Sequence, residues 1–152
     1  MKKRILTAVL AAALVTGTCA ATVSAKEEKT YTVGICQLVQ HDALDAATKG
    51  FEDAITEKMG DSVKFDEQNA QGDSNTCSTI INSFVSEGAD LILANATASL
   101  QAAAAGTSGI PILGTAVTEY GVALGIDDFD GTVGGNISGT SDLAPLDEQA
   151  DM

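Results

Sequence analysis

Basic residues are scarce. Eight Lys and Arg stand against 21 Asp and Glu in 152 residues, a net charge of −13, and none of the eight lies beyond Lys64. A protein that neutralises phosphates needs clustered Lys and Arg, so a nucleic-acid partner is excluded. Cysteine is also sparse, and three do not make a disulfide scaffold. No apolar run reaches the roughly 20 residues of a membrane span. G-x-S-x-G and Walker A sequences are absent, and no Ser or Cys has an evident partner base. No repeat or low-complexity tract interrupts the chain. What remains is 45% apolar, with charge too dilute for a disordered chain. The length fits one domain, or one domain plus a fragment of another.

The N-terminus reads as a leader. Lys2, Lys3 and Arg4 form a positive start, and Ile5 to Val15 is an uncharged apolar stretch of signal-peptide length. Val23-Ser24-Ala25 then offers small residues for cleavage, so residues 1–25 are expected to be a secretory signal peptide cut after Ala25. Cys19 opens the alternative of a lipid anchor, but Thr16 and Thr18 match a lipoprotein box poorly. Either way the chain is expected to be exported, to the periplasm or the cell surface.

After the leader, strand and helix patterns alternate. Tyr31 to Cys36 is a β-rich run. Asp42 is a plausible N-cap for a helix in which Leu44, Ala47, Phe51, Ile55 and Met59 recur at helical spacing, with Gly60 closing it. Val63 to Asp66 is a second strand. Ser74 can cap a second helix with Ile80, Ile81, Phe84 and Val85 on its buried face, closed by Gly88. Asp90 to Ala94 has the apolar look of a buried strand. Thr97 to Ala105 reads as helix, Ile110 to Leu113 as a fourth strand, and Val122 to Ile126 as a short fifth. Parallel strands need such crossovers, and their fixed hand puts helices on both faces. The expected fold is α/β, an open doubly wound parallel sheet. Ligands of such sheets bind beyond the carboxyl ends of the strands. That rule selects the loops Gln37 to His41, Asn69 to Asp73, Asn95 to Ser99 and Gly114 to Thr118.

Most candidate chemistries are weak. His41, the single histidine, lies in one of the selected loops. Gly134-Gly135-Asn136 and Gly139 have no helix at dinucleotide-binding spacing. Asp127, Asp128 and Asp130 before Gly131 resemble part of a calcium loop but lack the downstream Glu, and read as a solvated loop. Neither metal nor cofactor is called for. Cys36 and Cys77 are read as buried thiols more readily than as a bridge, although export permits one. The stronger signal is Asn95-Ala96-Thr97-Ala98-Ser99, which opens a helix. Its free N–H groups and the positive end of the helix dipole suit an anion such as a carboxylate, with Thr97, Ser99 and Thr115 adding hydroxyls. Ordinary capping by Thr97 would leave the same sequence.

Together these pieces resemble the first lobe of ABC transporter substrate-binding proteins of the tryptophan/tyrosine type, which have the type I periplasmic-binding fold. The resemblance is carried by Val33-Gly34-Ile35-Cys36-Gln37, His41-Asp42-Ala43-Leu44-Asp45-Ala46-Ala47, Gly50-Phe51 and Asn69-Ala70-Gln71-Gly72-Asp73. It continues through Asp90 to Ala94, Ala96-Thr97, Ile110-Pro111-Ile112, Thr115 to Thr118 and Gly135 to Asp142. It implies a two-lobed binder, not an enzyme, that encloses a small solute and delivers it to a membrane permease by hinge closure. Aromatic amino acids are the solutes associated with such proteins. The resemblance also implies that Gln37, His41 and Asn69 line the lobe, while Ala96, Thr97, Thr115 and Val117 meet the ligand's carboxylate. Residues 26–135 would form the first lobe, and 136–152 the crossover and the start of a truncated second lobe. A stand-alone single-lobe module that binds or dimerises, without a transport role, is the alternative. An exported α/β hydrolase is more remote, because no nucleophile–base pair is visible.

Overall fold

A computed structural model describes residues 29–143. The expected leader over 1–25, Cys19 and the stretch from 144 onward lie outside the described residues. Five strands form one sheet in the order β2-β1-β3-β4-β5, and every neighbouring pair is parallel. They are β1 Tyr31–Gln37, β2 Val63–Asn69, β3 Leu91–Asn95, β4 Ile112–Val117 and β5 Ile137–Ser141. Between them run α1 Asp42–Met59, α2 Ser74–Glu87, α3 Thr97–Gly106 and the short α4 Tyr120–Leu124. The doubly wound α/β sheet expected from the sequence is the fold.

The chain steps from β1 to β2 in one direction and returns across β1 for all later strands. Right-handed crossovers therefore place α1 on one face and α2, α3 and α4 on the other. Strand alternation serves both faces. Val33, Ile35 and Leu93 pack toward α1 with Phe51, Ile55 and Met59. On the other face Cys36, Ile92, Ala94 and Ile112 meet Ile80, Ile81 and Phe84 of α2 and Leu100 and Ala103 of α3. Gly34 belongs to this second face because the Phe84 ring lies directly on it. A Cβ there would sit 2.6 Å from two ring carbons.

Several local expectations shift. Val122 to Ile126 is not a strand: Val122 to Leu124 end α4 and Gly125 caps it. Both carboxylate oxygens of Glu119 accept N–H bonds at the start of that helix, from Gly121 at 2.7 Å and Val122 at 2.6 Å. Gly125 closes it in the left-handed region, at φ 64°. The fifth strand is Ile137–Ser141, inside the stretch given to the crossover. It is fixed by Ile112 N–H donating to Asn136 O and by the Asn136 amide donating to Thr107 O and Ile110 O. The fourth strand starts at Ile112 rather than Ile110 and runs through Val117, so most of the expected Gly114 to Thr118 loop is strand. The caps also move one residue upstream. His41 rather than Asp42 caps α1, Asp73 rather than Ser74 caps α2, and α3 follows Ala96 with no side-chain cap, so Thr97 is not one.

Candidate functional site

The strand order reverses at β1, so the gap between the carboxyl ends of β1 and β3 is the switch point at which such sheets bind ligands. Gln37 and Asn95 are the last residues of those strands and are direct partners in the register. Both side chains are fully buried, as is Thr48 beneath them on α1. The Thr48 hydroxyl donates to Gln37 Oε1 at 2.7 Å, and Asn95 Nδ2 donates to Thr48 Oγ1 and Leu44 O, both at 2.9 Å. Gln37 Nε2 donates to Val39 O at 3.1 Å and to Asp45 Oδ1 at 2.6 Å. This polar cluster locks α1 to the ends of β1 and β3. Asn95 Oδ1 alone has no partner among the described residues. Thr48 was not singled out from the sequence, yet it falls on the stripe of Leu44 and Phe51, where a hydroxyl must find an internal partner.

The loops at the edge are tied to this cluster through the backbone. Leu38 N–H donates to Asn95 O, Ala70 N–H to Gln37 O and Gly72 N–H to Leu38 O. Asn69 Oδ1 accepts from Gln71 N–H at 2.8 Å and so shapes its own turn, in which Gln71 and Gly72 take positive φ. His41 is exposed, and its Nδ1 accepts from Ala43 N–H at 3.2 Å.

α3 starts differently from its neighbours. Ala96 holds φ 88°, strained for a residue with a Cβ, and no side chain accepts from the N–H groups of the first turn. Ala96 N–H donates to Thr115 O at 3.0 Å, which seats the helix start against β4. First-turn N–H groups without a side-chain acceptor are of the kind that can receive an anion.

The expected ligand residues share one edge but not one pocket. Gln37 and Asn69 border a groove of about 690 Å³ with Gln40, Asp45, Glu52 and Gln71. Thr97 borders a notch of about 340 Å³ with Gln101, Thr118 and Glu119. Thr115 faces the α1 side, in a groove of about 350 Å³ with Ala47, Phe51 and Leu113. Ala96 lies at the seam between them. Val117 is fully buried in the core, so its side chain meets protein rather than solvent. In the first groove, burial, and then the charges of Glu67 and Asp53, hold the Glu52 carboxyl above its ordinary range.

Elsewhere the acidic loop is ordinary turn structure: Asp130 Oδ1 accepts from Thr132 N–H at 2.9 Å, and Asp128 takes a positive φ. Among the described residues no group of three or more His, Cys, Asp and Glu is placed to hold a metal, and no helix is long and apolar enough to cross a membrane. Cys36 and Cys77 are both free thiols.

The family model described as ABC transporter substrate binding protein matches residues 32–152. A tyrosine-binding protein from Clostridioides difficile (strain R20291) is 44% identical over 128 residues, covering 82% of this chain and 37% of that protein. The ligand-free, open structure of a substrate binding protein with adhesive properties from Clostridium difficile is 42% identical with a TM-score of 0.73, over 80% of this chain and 42% of that one. An ABC domain in complex with L-Trp from Streptococcus pneumonia is 32% identical with a TM-score of 0.67, over 74% and 39% of the two chains. The chain thus spans less than half the length of the relatives it matches.

Proposed function

We propose that this chain, which belongs to the ABC transporter substrate binding protein family, forms the first lobe of an extracytoplasmic binder for an aromatic amino acid. In this reading the lobe begins at residue 26 and takes in β5 through Ser141, the stretch after it leads toward a second lobe, and residues 1–25 direct export. The ligand lies between two lobes and is handed to a membrane permease. The reading is of a binder rather than a catalyst.

The observation that carries it is the start of α3. An uncapped helix N-terminus behind a strained Ala96, at the carboxyl edge beside the strand-order switch, offers backbone donors to a carboxylate. Thr97 and Thr115 flank that start on opposite faces of the sheet and can add hydroxyl donors. Gln37 is held too firmly by Thr48, Asn95 and Asp45 to reach a ligand, and acts by fixing the edge. Asn69 and His41 shape their loops and border the ligand side. The chemistry agrees with what the relatives are said to bind, tyrosine in one and L-Trp in another.

Binding by one lobe is weak, because such pockets work by enclosing most of the ligand. A dissociation constant no better than about millimolar is expected for this chain, near −4 kcal/mol. The test is an amide-resolved NMR titration with L-tryptophan and, in parallel, L-tryptophanamide, which lacks the carboxylate. L-tryptophan should first shift the amides of Ala96 to Ser99 and Thr115 to Thr118, and the amide compound should not. Equal shifts from both compounds, or shifts confined to other loops, would overturn the assignment. A micromolar constant by calorimetry would overturn the single-lobe reading.

A further inference from the structure

Beneath the ligand edge lies a group of atoms that the binding reading does not use. Cys36 sits on β1 one residue before Gln37, and Cys77 sits in the first turn of α2, just past the Asn69 to Asp73 loop. Both side chains are fully buried, and both are free. Between them stands Ser99, in the first turn of α3 and fully buried as well. Cys36 Sγ donates to Ser99 Oγ at 3.5 Å, and Cys77 Sγ lies 3.6 Å from the same oxygen. The two sulfurs thus meet at a single oxygen. One hydroxyl therefore gathers two thiols that lie 41 residues apart in sequence, on elements that border two of the ligand-edge loops.

We propose that Cys36 and Cys77 form a redox modification site, which closes to an intramolecular disulfide when the protein meets a low-molecular-weight disulfide. The bond would clasp the start of α2 to the end of β1 under the ligand edge. In the first step one cysteine thiolate attacks the small disulfide, forming a mixed disulfide and releasing one small thiol. In the second, the other cysteine's thiolate attacks the protein sulfur of that mixed disulfide and expels the second small thiol. The protein loses two hydrogens and the oxidant is reduced to two thiols.

The surroundings set the rate. Residues 71–76, which lead into Cys77, are all exposed, so local opening of this segment, with loss of its bonds to Leu38 O and Ala70 O, is the route by which the oxidant enters. Burial pushes the Cys36 thiol up to about 12, so the closed fold keeps Cys36 protonated and slow to react. Reaction then reports opening of the loop, and closure of the bond holds the loop down.

The test uses the full chain with Cys19→Ser, incubated folded in buffers of graded reduced-to-oxidised glutathione ratio. Samples are quenched in acid, alkylated under denaturing conditions, and read by intact mass and peptide mapping. The expected product has lost two hydrogens, takes up no alkylating agent, and gives one linked peptide pair joining Cys36 to Cys77. Cys77→Ala in the same background should stop at a glutathione adduct on Cys36, or stay unreacted. Amide exchange over residues 69–77 should slow in the oxidised protein. The proposal is overturned if both thiols remain alkylatable at every ratio, if adducts accumulate on both cysteines without closure, or if the bond forms only in denaturant.

Discussion

Thr48→Val tests whether the buried polar cluster holds the ligand edge together. The two side chains have nearly the same shape, so the change removes a hydroxyl and little else. Lost are the 2.7 Å bond to Gln37 Oε1 and the 2.9 Å bond from Asn95 Nδ2. Gln37 Oε1 then keeps only the 3.3 Å contact from Asn95 Nδ2, and Asn95 Nδ2 keeps Leu44 O at 2.9 Å. Two hydrogen bonds contribute about 1 kcal/mol each, and weakening the satisfaction of a buried acceptor adds about 1 more, so the cost is about 3 kcal/mol. For a domain of this size that lowers the melting temperature by about 10 °C. Without tryptophan in the chain, far-UV circular dichroism through a urea or thermal transition is the suitable probe. Thr48→Ser is the control: it keeps both bonds and loses a methyl, for about 1 kcal/mol. If valine at this site is as stable as threonine, or serine is worse than valine, the cluster is packing rather than hydrogen bonding and the reasoning fails.

Three further outcomes are expected. Gly34→Ala should cost about 2 kcal/mol by driving a methyl into the Phe84 ring, and Phe84→Leu in the same chain should return part of it; additive losses in the double variant would contradict the contact. Lys29 and the Thr32 N–H hold the Asp90 carboxyl below the usual carboxylate range. A lowered carboxylate contributes stability that is present above the unfolded value of about 3.9 and is lost as pH falls through the folded value. Asp90→Asn should therefore flatten the decline of the urea midpoint below about pH 4, and an unchanged decline would remove the pair from the account. Finally, His41→Ala should cost about 1 kcal/mol through loss of the α1 cap while His41→Asn restores it, measured by thermal melts; equal melts for all three would show that the cap contributes nothing.

Long periodic segments were legible in the sequence. The α1 stripe, the α2 stripe and the glycines at 60 and 88 marked elements whose ends the structure keeps within a few residues. Short elements were not. α4 has five residues, and its Val and Leu read as strand because the Glu119 cap that selects helix leaves no periodic trace. β5 is Ile-Ser-Gly-Thr-Ser, with only Ile137 and Thr140 favouring a strand, and it pairs because β4 and Asn136 hold it there. β4 begins after Pro111, which has no N–H to donate, although Pro111 O still accepts from Ile92. The carboxyl edge between β1 and β3 was legible because the switch point depends only on strand order. The cluster of Gln37, Thr48 and Asn95 was not, since it depends on which turn of α1 lands over which strand end. That register is set by contacts between residues 47 apart, and no local pattern records it.

The strand order also bears on how the chain can assemble as it emerges from its N-terminus. β2 adds beside β1, β3 adds to the other side of β1, β4 adds to β3 and β5 to β4. Each arriving strand finds its neighbour already made, and none waits for a later one. The long-range step is β3, which must reach past β2 to the open side of β1 and closes a loop that includes both α1 and α2. Until Leu91 to Asn95 arrives, the inner edge of β1 is bare, and with it the future seat of Gln37 and Asn95. The carboxyl edge around Gln37 and Asn95 is thus drawn together at the same moment that the sheet acquires its centre.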